Sequence, residues 1–461
     1  MIASGFIFTV LIISCNGQLN TFTSLFTDVW TKNPLVQFTA RASSEAIANT
    51  VDSITKFPLA VAGAIRAGFN FPTLISPTNV VDLTDKFVAE FNTDLNNEDA
   101  NLHIGDLILK YGYEVEKHKV RTEDGYILSM YRIPNNGSVI FLMHGLFGSA
   151  DDYVIAGPES GLAYLLAKEG YDVWMGNARG NKHSRSHVKL STSESVFWDF
   201  TWHEIGFYDL PAMIDYALET SNSKALKYIG HSQGTTAFFV MASERTNYND
   251  KINLMIALSP VAFMTNAKSP VVRLLAPGGP FIHSVTKTLG IYEFLPDNSM
   301  IRMLKRLMCG NGAIAEILCN NIIFLAAGFD LGQLNVTNLP VMLGHTPSGA
   351  STKQIAHYGQ NVVSNDFKKF DYGSSENLLR YGKPRPPSYT LEQISAPVSL
   401  FYSEEDWLAH PEDVERLRKE LPDVKDFYKV PEKHFNHMDF QFSKKAPEVV
   451  YKRLIESMQT N

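Results

Sequence analysis

Short apolar runs separated by polar turns dominate the hydrophobic pattern of residues 113–258 and return near residue 397. Val139 to Met143 and Pro397 to Tyr402 are apolar almost throughout, which is typical of strands buried on both faces of a parallel sheet. Further strands are predicted near Tyr171, Lys227, Leu254 and Phe427, after a hairpin of residues 113–121 and 125–133. Helices are predicted between them at 163–169, 209–220 and 235–245. This alternation predicts an α/β protein whose mostly parallel sheet has helices on both faces.

The interval between the strand that ends near Pro260 and the strand at Pro397 is far longer than an ordinary crossover. Apolar residues recur there at helical spacing, at Ile301, Leu304 and Leu307. We therefore predict a mainly helical cap domain at 261–389, inserted into a core of residues 102–260 and 390–461. Simple packing inside the cap explains any one of these apolar residues. Our hypothesis is that part of 270–308 acts as a lid.

Gly230-His231-Ser232-Gln233-Gly234 is the most informative motif of the chain. An apolar run leads into it and a helical pattern leads out, as in the nucleophile elbow of an α/β-hydrolase. The turn is so tight that glycine is required on both sides of the serine, at Gly230 and Gly234. The pentapeptide alone is a common match, so the residues further along the chain decide how much weight it carries.

The residues expected to act with Ser232 follow in the required order, an acid and then a histidine. Asp406 lies just past the predicted strand at 397–402, and His437 follows the predicted strand near Phe427. In this arrangement His437 accepts the serine proton, and Asp406 orients the imidazole and stabilises its cation. Four other carboxylates compete for the role of the acid: Glu404, Glu405, Asp413 and Asp439.

A second loop is expected to contribute to the same site. The strand Val139 to Met143 delivers His144-Gly145-Leu146 at the position from which the fold draws half of its oxyanion hole. The expected donors are the backbone N–H groups of Leu146 and Gln233. An ordinary turn at the end of a strand is the alternative explanation of this loop.

Several longer motifs resemble the animal acid lipases, the family of gastric lipase, lysosomal acid lipase and many insect secreted lipases. The resemblance covers the chain from about residue 101 to near its C-terminus. It implies an α/β-hydrolase fold, a triad of Ser232, Asp406 and His437, an oxyanion hole at Leu146 and Gln233, and hydrolysis of carboxylic esters such as acylglycerols or sterol esters. The motifs lie at 142–146, 170–181, 208–212, 230–235 and 436–440.

The N-terminus predicts secretion. Residues 1–14 are almost wholly apolar and small residues follow, so residues 1–17 are predicted to be a signal peptide. A membrane anchor is the alternative, but the run is shorter than the roughly 18 residues that a span needs. An extracellular location is therefore expected, with the lysosome as the alternative. Residues 18–101 form an extension of unknown role, and we favour a removable or mobile segment, either a pro-segment or an amphipathic arm.

Cysteines and glycosylation motifs agree with this route. After removal of the leader an even pair remains, Cys309 and Cys319, which is expected to form one disulfide in an oxidising compartment. Two free buried thiols are the alternative, and the family resemblance implies a matching bridge in the cap. Sequons begin at Asn136 and Asn335, and both are short, common matches.

Charge and histidine spacing argue against other classes. A net charge of -7 and the absence of a basic stripe argue against a nucleic-acid partner. His183 and His187 have the spacing of a helical zinc pair, but the segment is a predicted loop without the glutamate of the zinc motif. No metal and no cofactor is therefore predicted.

The sequence thus predicts a secreted lipase that acts on lipid esters at a lipid–water interface through Ser232. Two alternatives stay open. The same triad would serve a thioesterase or an acyltransferase, and a lipid-binding or storage protein would keep the fold without turnover. Intact Ser232, Asp406 and His437 argue against the second alternative.

Overall fold

The computed structural model describes residues 97–269 and 338–460, together with a few residues between 272 and 295. Its strands are β1 (Glu116–Arg121), β2 (Tyr126–Ile133), β3 (Val139–Met143), β4 (Asp172–Met175), β5 (Ser186–His187), β6 (Leu226–His231), β7 (Ile252–Leu258), β8 (Glu293–Phe294), β9 (Ala350–Ser351), β10 (Val398–Tyr402) and β11 (Val424–Lys429).

The main sheet of the described residues has the strand order β1-β2-β4-β3-β6-β7-β10-β11, and β5 pairs with β2. Strands β4, β3, β6, β7, β10 and β11 are parallel to one another, whereas β2 is antiparallel to both β1 and β4 and forms the antiparallel edge with β1. The predicted hairpin and the mostly parallel sheet are confirmed. The first hairpin strand begins at Glu116, three residues after the predicted start, and the short strands β5, β8 and β9 were not predicted.

Helices surround this sheet. The longer described helices are α1 (Ile104–Lys110), α2 (Leu162–Lys168), α3 (Leu210–Thr220), α4 (Gln233–Glu244), α5 (Leu339–His345), α6 (Thr352–Ser364), α7 (Ser374–Tyr381), α8 (Pro411–Glu420) and α9 (Lys452–Thr460). Shorter helical turns lie at Glu98–Asn101, Ala150–Tyr153, Ser195–Trp198, Trp202–Glu204, Ile205–Asp209, Thr246–Lys251, Leu391–Gln393, Asp439–Phe442 and Pro447–Tyr451. The three predicted helices correspond to α2, α3 and α4.

The core lies on both faces of the sheet. Along β3, the side chains of Phe141 and Met143 belong to one apolar cluster, and those of Ile140 and Leu142 belong to the other. Helices α3 and α4 pack in the first cluster, and α1, α2 and α9 pack in the second. Because successive side chains of a strand point to opposite faces, a strand covered on both sides must be apolar at nearly every position. This explains the continuous apolar runs in the sequence.

The topology brings the candidate residues to one edge of the sheet. Strands β3, β6, β7, β10 and β11 run parallel, so the loops at their carboxyl ends lie side by side. Sites of open α/β sheets form at this edge. The boundaries predicted for core and cap stay predictions, and residues 1–96 and most of 270–337 lie outside the described residues.

Candidate active site

Ser232 occupies a strained turn between a strand and a helix. Strand β6 ends at His231 and helix α4 begins at Gln233, so one residue makes the whole connection. Ser232 has a φ of 51° and a ψ of -117°, which a residue with a side chain rarely adopts. Such strain persists only where the surrounding structure maintains it, and it concentrates at functional sites.

The two glycines of the motif are required by packing. A Cβ on Gly230 would lie 2.8 Å from the carbonyl carbon of Gly234. A Cβ on Gly234 would lie 2.2 Å from the carbonyl oxygen of Met143, at the end of β3. Neither position accepts a side chain, because in both cases the obstacle is backbone. The close packing of this turn therefore depends on Gly230 and Gly234.

A hydrogen-bonded chain connects Ser232 to two distant residues. The Ser232 hydroxyl lies 2.8 Å from Nε2 of His437, and Nδ1 of His437 lies 3.0 Å from each carboxylate oxygen of Asp406. Oδ1 of Asp406 also accepts the backbone N–H groups of Leu408 and Ala409, at 2.9 and 2.8 Å. The structure thus brings together the three side chains that the sequence selected.

Three of the four competing carboxylates have other partners. Glu404 is mostly exposed and pairs with Lys429 at 2.8 Å. An oxygen of Asp413 accepts the backbone N–H of Asn266 at 2.8 Å.

The side chain of Asp439 binds a backbone N–H group near the site. Its carboxylate accepts the N–H of Asn436 at 2.6 Å and so closes the turn that carries His437. Its role in the described structure is to shape that loop.

The surroundings of Asp406 favour its ionised form. Burial by itself raises the pKa of Asp406, but the charge of His437 and hydrogen bonds from His437, Ser259 and the N–H of Ala409 outweigh it and hold that pKa below its ordinary value. Ser259 was not selected from the sequence, because no motif connects it to residues about 150 positions later.

His231 forms a hydrogen bond with the backbone of His437. Burial, with the nearby charge of His437, lowers the pKa of His231 to about 3, so this imidazole is neutral. Its Nε2–H donates to the carbonyl oxygen of His437 at 3.0 Å. His231 belongs to the 230–234 motif, but nothing in the sequence predicted its contact with His437.

The loop after β3 lies directly against the serine. A Cβ on Gly145 would lie 3.1 Å from Cβ of Ser232 and 3.2 Å from Nδ1 of His231. Leu146 follows Gly145, and Gln233 is the first residue of α4, whose N-terminus carries a partial positive charge. Both residues predicted to supply oxyanion donors therefore lie in segments that border the serine.

His144 holds this loop in place. Its Nδ1–H donates to the carbonyl oxygen of Gly145 at 2.7 Å, and its Nε2 accepts the N–H of Ala178 at 3.1 Å. Burial lowers the pKa of His144 to about 4, so the ring is neutral and each nitrogen has a defined role. The sequence located His144 and did not predict this bracing function.

The histidines considered for metal binding serve different partners. Nε2 of His183 lies 2.6 Å from Oδ1 of Asp151, whereas Nε2 of His187 lies 2.9 Å from the carbonyl oxygen of Asp124. Within the described parts of the chain, no group of three or more metal-binding side chains is arranged to hold an ion. Among these same residues, no helix has the length and apolar character of a membrane span.

The remaining sequence predictions divide by position. Asn136 is exposed in the turn between β2 and β3. Cys309, Cys319 and Asn335 lie outside the described residues, as do the predicted signal peptide and most of the segment proposed as a lid.

Family models and a solved structure define the class. Residues 104–157 match a model described as a partial alpha/beta-hydrolase lipase region, and residues 138–279 match the alpha/beta hydrolase fold. A solved Sulfolobus solfataricus structure aligns with a TM-score of 0.52 at 13% identity, covering 75% of this chain and 94% of that one. The protein is an α/β-hydrolase, which confirms the predicted fold.

Curated relatives narrow this class. The chain is 42% identical to Lipase 1 of Drosophila melanogaster over 364 residues, covering 78% of this chain and 80% of that protein. It is 37% identical to gastric triacylglycerol lipase of Bos taurus over 374 residues (78% and 92%), and 35% identical to mouse Lipase member K over 397 residues (84% and 98%). The chain belongs to the animal acid lipase family.

Proposed function

We propose that this protein is a secreted serine lipase that hydrolyses carboxylic esters of lipids, such as triacylglycerols or sterol esters, through an acyl-enzyme on Ser232. One observation carries the proposal: the Ser232 hydroxyl lies 2.8 Å from Nε2 of His437, whose other nitrogen lies 3.0 Å from Asp406. Membership of a family whose named members include a triacylglycerol lipase supports the substrate class.

The first half of the reaction forms the acyl-enzyme. Oγ of Ser232 attacks the ester carbonyl carbon while its proton passes to Nε2 of His437. The negative charge moves to the carbonyl oxygen, where the N–H groups of Leu146 and Gln233 stabilise it. The tetrahedral intermediate then collapses, and the imidazolium of His437 returns its proton to the leaving alcohol.

The second half releases the acid. Water enters, His437 takes its proton, and the resulting hydroxide attacks the acyl carbon. When the C–O bond to Ser232 breaks, the proton returns from His437 to Oγ and a free carboxylic acid leaves. Asp406 remains ionised throughout and stabilises each transient imidazolium, in agreement with its lowered pKa.

Secretion is supported by the leader and by the position of one sequon. Asn136 is exposed, as an N-glycan requires. N-terminal sequencing of protein collected from the medium should begin after residue 17 or, if 18–101 is a removable pro-segment, near residue 102. A chain that retains Met1 and remains inside the cell would contradict the secreted location.

The decisive experiment combines a fluorophosphonate probe with two substrates. Wild-type protein should be labelled by the probe and should release fatty acid from emulsified triolein or cholesteryl oleate within about pH 4 to 8. Ser232→Ala should lose labelling entirely and lose activity by several orders of magnitude, because the nucleophile is absent. Ser193→Ala, a change in an exposed loop, should retain both.

Three results would contradict this function. Labelling that persists in Ser232→Ala would place the reactive serine elsewhere. An unlabelled wild-type protein that binds lipid would favour the storage alternative. Faster hydrolysis of acyl thioesters than of oxygen esters would favour the thioesterase alternative. Faster acyl transfer to alcohols than to water would favour the acyltransferase alternative.

A further inference from the structure

Ser259 lies where three strands of the site meet. It directly follows β7, which is paired with β6 on one side and with β10 on the other. Its N–H donates to the carbonyl oxygen of Phe401 in β10 at 2.9 Å. The residue before it, Leu258, accepts the N–H of Ser232 at 3.1 Å. Ser259 therefore occupies the gap between the nucleophile turn and the loop that carries Asp406.

The hydroxyl of Ser259 contacts both partners of the proposed charge pair. Its Oγ donates to Oδ2 of Asp406 and lies 2.5 Å from Nδ1 of His437. A hydroxyl has one proton and two lone pairs, so it can donate to the carboxylate while it accepts the Nδ1–H of the imidazole, which is shared between this hydroxyl and the carboxylate. That arrangement is consistent with only one tautomer of His437, the one whose Nε2 is free to accept the proton of Ser232.

We infer that Ser259 is a positioning residue that holds Asp406 ionised and His437 in its reactive tautomer. This inference rests on the proposed function. Its hydroxyl does not touch the reacting atoms and acts through Asp406 and His437. Ser259 is then a fourth member of the hydrogen-bonded chain, and it lies between Ser232 and Asp406 in the sequence.

The backbone of Ser259 supports this assignment independently. Its φ is 53°, in the left-handed region that glycine adopts without cost. A residue with a side chain is strained there by on the order of 1 kcal/mol or more. The side chain is also fully buried. Glycine would satisfy the backbone better, so the presence of serine indicates that the hydroxyl itself is used.

A neighbouring serine supplies a matched control. Ser403 is also fully buried and follows β10, three residues before Asp406. Within the described structure its hydroxyl has no hydrogen-bond partner. Replacing either serine by alanine removes the same oxygen from the same edge of the sheet, but only Ser259→Ala removes a contact with the Asp406–His437 pair.

Other titratable groups face this pair and stay unchanged in every variant. The ring of His231 lies 5.1 Å from that of His437, centroid to centroid. His410, at the start of α8, interacts with the charge of Asp406 and of Lys268. A shift that appears in the Ser259 variants and not in Ser403→Ala is therefore assigned to the lost hydroxyl.

The test measures kcat and KM against pH for the full-length protein with a soluble short-chain ester. Ser259→Ala and Ser259→Gly should both lower kcat by roughly tenfold or more, as for a lost hydrogen bond to a charged group, with little change in KM. The acid limb should move to higher pH, because Asp406 loses a donor that favours its ionised form. Ser259→Gly should unfold at a temperature at least as high as Ser259→Ala, and Ser403→Ala should keep the wild-type profile.

Two kinds of result overturn the inference. A wild-type kcat and acid limb in Ser259→Ala, or an activity loss without a shifted limb, would show that the hydroxyl does not position the pair. Failure of both Ser259 variants to fold, while Ser403→Ala folds, would make Ser259 a structural residue. The fluorophosphonate probe separates these outcomes from failure of the proposed function, because unlabelled wild-type protein contradicts the function whatever the Ser259 variants do.

Discussion

At the scale of single residues, the carboxylate of Asp406 is held in an unusual state. Its side chain is fully buried, a setting that ordinarily favours the neutral acid. Two backbone N–H groups, the Ser259 hydroxyl and the His437 ring compensate by donating to its two oxygens. Because so many donors converge on it, this carboxylate is suited to stabilising a transient imidazolium.

Asp406→Asn tests this role directly. The amide has nearly the same shape but carries no charge and presents an N–H to the imidazole, which favours the wrong tautomer of His437. We expect kcat on a soluble ester to fall by about 10⁴-fold with the unfolding temperature changed far less. Glu404→Gln is the control, because this exposed carboxylate pairs with Lys429 and should keep wild-type activity. A larger loss of activity in Glu404→Gln than in Asp406→Asn would show that Asp406 is not the acid of the triad.

At the scale of elements, a buried arginine joins three parts of the fold. Arg179, in the loop after β4, pairs with Asp209, which precedes α3, at 2.7 Å. It also pairs at 2.6 Å with Asp124, in the turn between β1 and β2. Its guanidinium carbon lies 4.0 Å from the ring centroid of Tyr126. The ion cluster thus connects the antiparallel edge of the sheet, at the β1–β2 turn, to the start of helix α3.

Arg179→Met should destabilise the protein strongly. The change leaves a fully buried Asp209 without its cation, and breaking a buried ion pair from one side costs about 3–5 kcal/mol. Denaturant unfolding followed by circular dichroism measures this loss. Arg380→Met, which breaks an exposed pair with Glu376 in α7, should cost at most about 1 kcal/mol. Equal losses in the two variants would mean that the buried cluster contributes nothing specific.

At the scale of the whole molecule, stability depends on pH through carboxyl groups that folding removes from water. Asp152 is the clearest case: burial, and then the charge of Asp151, raise its pKa from 3.8 to about 7. Near pH 3 both the folded and the unfolded chain carry this proton. Between about pH 4 and 7 the unfolded chain loses it while the folded chain retains it, so this group's contribution to stability falls as pH rises.

Asp152→Asn should remove that fall. The amide oxygen can still accept the N–H of Ser149, and no charge develops in the core. The unfolding temperature of the variant minus that of the wild type should therefore increase from pH 4 to 7. The corresponding change in the free energy of unfolding is about 1.4 kcal/mol for each unit by which the pKa is raised. Asp106→Asn, at an exposed position in α1, should show little such trend. A difference that stays constant across this pH range for Asp152→Asn would contradict the raised pKa.

Much of this architecture could be predicted because local signals agreed with the final environment. Strands β3 and β10 were visible as apolar runs, since both of their faces are covered. Helix α6 was not predicted as such, because its buried face includes Gln354, His357 and Asn361 and so lacks a simple apolar stripe. Helix α8 was also missed, because only Val414 and Leu417 mark its apolar face.

The sequence by itself determined the class of fold, the turn at Ser232 and the order of serine, acid and histidine, since these depend on local backbone geometry and on strand periodicity. Only the tertiary structure decided which carboxylate meets His437, that His144 and His231 brace the site, and that Ser259 lies between Asp406 and His437. The physical reason is that parallel pairing of β6, β7 and β10 converts large separations along the chain into contacts of a few ångströms.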